Sequence, residues 1–327
     1  MVTRRAFATQ LGLGTLVAAS RVSAQPARKV ARIGYLSGGS AAGAAAYLDG
    51  FRDGLRDLGY TEGRHYTVEA RWAEGAFDRI PAFTEELVRL KMDLLVSQGP
   101  GTRQVKQFAG TTPVVFGVSA DPVEAGVVAS LSRPGGTVTG RTFLAVELVG
   151  KRLELLKEAV PSVSTVAIVA NPDHAGEQAE RRETLAAAGR LELTTRYLPA
   201  RNQPEIEAAL AEIARVRSDG MLIFPDAVML THRQLLLDHA LRRRIASIGG
   251  WSQFAEAGAL MTYGPNLREE WRLIATQADR ILKGARPADL PVERSTRFEL
   301  IVNVKTAQAL GLTVPPTVLV RADRVIS

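Results

Sequence analysis

The residues best suited to chemistry stand where apolar runs end. "IGYLSGGS" (33–40) stops at Ser37 and Gly38, "LLVSQGPGT" (94–102) sets Ser97, Gln98 and Thr102 around Gly99, and "VVFGVSADP" (114–122) breaks at Ser119 and Asp121. "VAIVANPD" (166–173) ends on Asn171 and Asp173, and "MLIFPDA" (221–227) on Asp226. Hydroxyls and glycine-loop amides beyond a strand can donate to the oxygens of a small ligand, and a carboxylate there can take its ammonium or hydroxyl. Each of these side chains can equally cap the helix that follows, with a proline in the first helical turn.

Catalytic patterns are sparse. Asp121, Asp173 and Asp226 can converge across a cleft as an acid/base set, but no obvious nucleophile or electrophile stands beside them. No GxSxG elbow surrounds Ser37 or Ser119, there is no P-loop, and "GPGTRQ" lacks the last glycine of a dinucleotide fingerprint. His65, His174, His232 and His239 are scattered, without the three- or four-residue spacing of metal ligands, so they read as solvated or half-buried. No catalytic residue, metal or cofactor is expected.

The elements that position these residues alternate. "VARIGYLS" is a strand, and the helix after it repeats Leu48, Phe51, Leu55 and Leu58 at spacings of three and four before Gly59. "HYTVEARWAEG", "MDLLVSQGPGT" and "TPVVFGVSADP" are further strands, with a helix over "FDRIPAFTEELVRLK" and another expected over "VEAGVVASL". The pattern then restarts: an amphipathic helix with Val149, Leu153, Leu156 and Val160 on one stripe leads to "STVAIVANPD" and a second series of strands and helices. Such alternation implies right-handed crossovers. The fold class expected is α/β, two doubly wound parallel-sheet lobes.

Composition agrees with two lobes. The chain has 327 residues, 46% of them hydrophobic, no cysteine and a net charge of +7. Its start differs: Arg4 and Arg5 precede the apolar "LGLGTLVAA" (11–19), and Val22, Ser23 and Ala24 resemble a cleavage site. Residues 1–24 read as a signal peptide cleaved near Ala24, by general secretion or, given the paired arginines, the twin-arginine route. Cleavage lowers the charge to +4, which argues against a nucleic-acid surface. Without a lipobox cysteine, and with an apolar run too short to span a bilayer, the mature protein is expected free in the periplasm, not inserted in the membrane, and monomeric.

The order of "FRDGLRDLGY", "FGVSADPVEAGVVASLSRPGGTVTG", "RLELLKEAVP", "ILKGARPADLPVE" and "ELIVNVKTAQALGLTVPPTVLVRADRVI" resembles the ABC transporter substrate-binding protein family, with the type I periplasmic-binding fold. That family includes tryptophan and tyrosine binders. The resemblance implies three crossing segments, near 138–144, 261–266 and 291–297, and a division into residues 25–140 plus 266–290 for lobe one and 141–265 plus 291–327 for lobe two. It also implies an ABC permease and, through it, ATPase subunits as partners. The family's carboxylate-binding loops map onto Ser37, Ser97, Gln98, Thr102 and Ser119, and Asp226 suits an ammonium group. "QGPGT" and "SADP" depart from the "GTPAT" and "TDP" of many relatives, so ligand identity stays open.

The candidate ligand site is thus Ser37, Gly38, Ser97, Gln98, Gly99, Thr102, Ser119, Asp121, Asn171, Asp226, Trp251 and Tyr263. The two aromatics can stack on a ligand or simply pack. Arg103 and Arg141 can each pair with a carboxylate or lie on the surface. The expected function is a non-enzymatic solute-binding protein of an importer that closes its lobes on a small polar or aromatic carboxylate or amino-acid-like ligand. The alternative is an exported hydrolase or isomerase using the cleft carboxylates. A repressor of the same fold would need a DNA-binding helix-turn-helix where the export signal stands.

Overall fold

The computed structural model describes residues 30–144 and 146–327, so the signal-peptide reading of residues 1–24 lies outside the described residues. The first five strands are β1 (Ala31–Ser37), β2 (Tyr66–Trp72), β3 (Leu94–Gln98), β4 (Val114–Val118) and β5 (Val138–Thr142). Helices α1 (Ala41–Asp57), α2 (Ile80–Arg89) and α3 (Thr102–Phe108) connect β1 through β4. After α4 (Glu147–Ala159) come β6 (Thr165–Ala170), β7 (Thr194–Pro199), β8 (Gly220–Ile223), β9 (Ala246–Gly249) and β10 (Met261–Gly264). They alternate with α5 (Glu177–Arg190), α6 (Gln203–Val216), α7 (Ala227–Thr231), α8 (Arg233–Arg242) and α9 (Ser252–Glu256). The chain ends through α10 (Leu267–Leu282), β11 (Glu293–Arg294), β12 (Glu299–Asn303), α11 (Val304–Leu310), α12 (Pro316–Leu319) and β13 (Arg324–Ile326).

Two sheets result, ordered β11-β5-β4-β3-β1-β2 and β13-β12-β10-β9-β8-β6-β7. Five consecutive strands of each follow one scheme: β2-β1-β3-β4-β5 in lobe one, β7-β6-β8-β9-β10 in lobe two, all parallel. The central strands β4 and β8 are buried along their whole length, as apolar runs covered by helices on both faces must be. β12 runs antiparallel to β10, a local departure from the parallel pattern.

The expected helix over "VEAGVVASL" does not form. Asp121 Oδ1 accepts the amides of Val123 and Glu124, which starts a turn, but Gly126 at φ 69° bends the chain away, and Val127 and Val128 both donate back to the Pro122 carbonyl.

The chain passes between the sheets three times: from β5 to α4, from β10 to α10 and from β11 to β12. The second passage returns α10 to lobe one, where it lies along α1 and packs on β4 and β5. Small residues permit that approach: a Cβ on Gly50 would stand 2.5 Å from the Arg268 carbonyl oxygen, and one on Gly54 only 2.1 Å from that of Arg272. Phe51 and Leu55 on the same helix are fully buried, each contributing roughly 1.5–3 kcal/mol of apolar burial. The apolar cluster around them continues through Tyr35, Tyr47, Phe143 and Trp271 to Met229, Trp251 and Phe254 of lobe two.

Candidate functional site

In an open α/β sheet the carboxyl ends of two adjacent strands whose connections leave in opposite directions form a crevice. The strand orders put that point between β1 and β3 in lobe one, and between β6 and β8 in lobe two. Ser37 and Gln98 end the first pair, with Ser97 one residue earlier; Asn171 and Asp226 follow the second. The polar strand ends singled out by sequence therefore occupy the same topological position in both lobes.

In lobe one, the Ser37 hydroxyl accepts the Gly39 amide at 3.1 Å. Gly38 lies under Phe77, where a Cβ would stand 2.3 Å from the ring. Thr102 gives its hydroxyl proton to the Gly99 carbonyl at 2.8 Å, so Ser97 is the donor in the 2.9 Å bond between the two hydroxyls. Gly99 makes this loop possible at φ 79°. Gln98 accepts the Tyr35 hydroxyl through Oε1 at 2.7 Å, which leaves its amide NH2 without a protein partner among the described residues. Burial lifts the Tyr35 phenol well above its ordinary pKa, so it stays a donor.

In lobe two, Asp226 is 4% exposed and caps α7: Oδ1 accepts the Met229 amide and Oδ2 the Asn171 side-chain amide, both at 2.7 Å. Asn171 in turn accepts the Asp173 amide through Oδ1. Burial raises the Asp226 carboxyl, while His174, Asn171 and the backbone amides pull it back. Capping and ligand binding are not exclusive here, since each carboxylate oxygen carries two acceptor sites.

Behind this edge an arginine and a carboxyl group are buried together. Arg152 of α4 and Glu180 of α5, each 1% exposed, approach to 3.9 Å, and Arg152 Nε donates to the Tyr263 carbonyl at 2.8 Å. Burial pushes the Glu180 carboxyl up to about 8. Arg152 Nη1 and Glu180 Oε2 have no hydrogen-bond partner among the described residues. Sequence reading missed both residues, because on an amphipathic helix a charged side chain beside the apolar stripe ordinarily reaches solvent.

Beside the shared apolar cluster, side chains of the two lobes also bond to each other directly. Ser119 Oγ lies 3.2 Å from His174 Nε2, and Gln253 Nε2 donates to the Tyr47 hydroxyl at 3.2 Å. His174 is half-buried, and burial lowers its pKa. The remaining candidates are peripheral to these bonds. Trp251 is buried and stacks on Phe254 with centroids 6.4 Å apart, and the Tyr263 ring lies 6.3 Å from Phe298. Asp121 spends Oδ1 on its own turn. Arg141 is not free for a ligand carboxylate: it is buried against Glu270 at 2.9 Å and also pairs with Glu293. Arg103 is exposed beside Gly126. Among the described residues no group of three His, Cys, Asp or Glu side chains is placed to hold a metal ion, and no helix is long and apolar enough to cross a membrane.

Two sheets of one topology with apposed polar edges define a hinged binding protein of the type I periplasmic-binding fold. The family model described as ABC transporter substrate binding protein matches residues 31–326, and the chain belongs to that family. A tyrosine-binding protein of Clostridioides difficile (strain R20291) is 23% identical over 267 residues, covering 80% of this chain and 76% of that protein. A conserved domain protein of Vibrio cholerae superposes with a TM-score of 0.84 at 26% identity, over 91% of this chain and 100% of that one. An ABC domain from Streptococcus pneumonia in complex with L-Trp gives 0.83 at 24% identity with the same coverage.

Proposed function

We propose that this substrate-binding protein captures an α-amino acid or a closely similar small carboxylate, in the periplasm, and delivers it to an ABC importer. The observation that carries the reading is the division of polar chemistry between the lobes. Lobe one offers neutral donors for a carboxylate in the Ser37 hydroxyl and the free amide of Gln98, set in loops that Gly38 and Gly99 shape and that the Ser97–Thr102 pair braces. Lobe two offers the Asp226 carboxyl, steadied by Asn171, for an ammonium group. A ligand that spans the cleft binds the closed state alone, which stabilises closure. The tyrosine binder and the L-Trp complex among the relatives support this ligand class. Export through a signal peptide over 1–24, a monomeric state, and a permease with ATPase subunits complete the proposal.

The test is a thermal-shift screen of residues 25–327 against amino acids, aromatic acids and other small carboxylates. A ligand of the folded state raises apparent stability by mass action, roughly 2.7 kcal/mol at a hundredfold excess over Kd. A saturable rise with amino acids and no product formed is the expected result. A flat response across all amino acids removes this ligand class, and consumption of a compound restores the hydrolase or isomerase reading.

A further inference from the structure

The loop from Asn171 to Glu177 of lobe two meets the loop from Ser119 to Glu124 of lobe one away from the strand-end donors of β1 and β3. His174 Nε2 reaches Ser119 Oγ, the charges of Asp226 and Glu177 in its own lobe and of Glu124 in the other favour its cation, and a Cβ on Gly176 would stand 3.0 Å from Leu144 and 3.7 Å from the Asp121 amide. Burial of the ring disfavours its cation, and a neutral imidazole can either donate to or accept from a serine hydroxyl.

Resting on the reading of this chain as a hinged binder, we propose that His174 is a closure latch: its bond to Ser119 forms only when the lobes meet and stabilises the closed state by the same factor whatever ligand is bound. The bond joins protein to protein, so it sets the population of the binding-competent state, and apparent affinity scales with that population. The latch supplies affinity; the strand-end donors and Asp226 supply selectivity.

The experiment needs no ligand. The chain has no cysteine, so Gln107→Cys on α3 and Arg182→Cys on α5, both exposed and on different lobes, can carry spin labels for interlobe distance measurement. The labelled parent is expected to show two distance populations, with His174→Ala depleting the shorter one about two- to tenfold, the range set by one net hydrogen bond. Ser119→Ala, on the opposite lobe, should do the same, and the double variant should add nothing further. Two populations that ignore both substitutions would overturn the latch while leaving the hinged binder standing. A single distance in the parent and in every variant would overturn the latch too, and only an interlobe distance that also stays fixed at saturating amino acid would overturn the hinged binder.

Discussion

Arg141 in β5 and Glu270 in α10, 129 positions apart in the chain, form a buried ion pair of 2.9 Å, and Glu293 in β11 pairs with the same guanidinium. Arg141 precedes the first passage between lobes, Glu270 follows the second, and Glu293 precedes the third. One side chain thus ties the lobe-one ends of all three connections together, which confines bending to the short stretches beyond them.

Arg141→Met leaves the Glu270 carboxylate buried without its partner, a loss of about 3–5 kcal/mol. Urea unfolding of the variant should show that drop. A change under about 1 kcal/mol would mean the pair carries no weight.

Asp226→Asn separates charge from capping, because asparagine caps a helix about as well as aspartate. The helix cap on Met229 is kept, but the new amide NH2 meets that of Asn171, so stability should fall by about 1–3 kcal/mol without unfolding, while affinity for the amino acid found by screening falls roughly 10- to 100-fold, as expected for losing a hydrogen bond to a charged group. Calorimetry on both forms decides it; unchanged affinity takes Asp226 out of the site.

Glu180 makes stability pH-dependent with a definite sign. Its folded-state pKa of about 8 lies above the ordinary 4.5, so the folded protein holds that proton more tightly than the unfolded chain. The associated stability is complete below pH 4.5 and is lost as the pH climbs through about 8. Glu180→Gln should match the parent's Tm near pH 5 and exceed it near pH 9. Parallel Tm curves across that range would contradict the assignment.

Gly54→Ala drives a methyl group into the Arg272 carbonyl at the α1–α10 contact. The expected cost is about 1–3 kcal/mol of overpacking, read as a lowered Tm, despite alanine's better helix propensity. A raised Tm would show that α10 can slide on α1.

The strands that carry the site were legible because burial on both faces writes β1, β3, β4, β6 and β8 as apolar runs, and Ser37, Ser97, Ser119, Asn171 and Asp226 mark where each run stops. What was not legible depends on distant partners. Arg152 and Glu180 sit at ordinary helical spacings, and only the packing of α4 against α5 buries them together. Arg141, in the short polar strand "VTGRT", is buried because α10 returns over it. His174 gains its neighbour Ser119 only when two lobes meet. The helix misread over "VEAGVVASL" has helical composition, and a single glycine backbone angle overrides it.

The close seat of α10 on α1 also orders events during synthesis. Lobe two's strands β6 to β10 are contiguous in sequence and can pair as soon as they emerge, whereas lobe one must leave one helical layer open until residue 282 has been made. Until then the apolar faces of Phe51 and Leu55 remain uncovered, so the amino-terminal half, first to be translated, waits for a helix made after lobe two's parallel strands, and only the edge strands β12 and β13 of lobe two come later still.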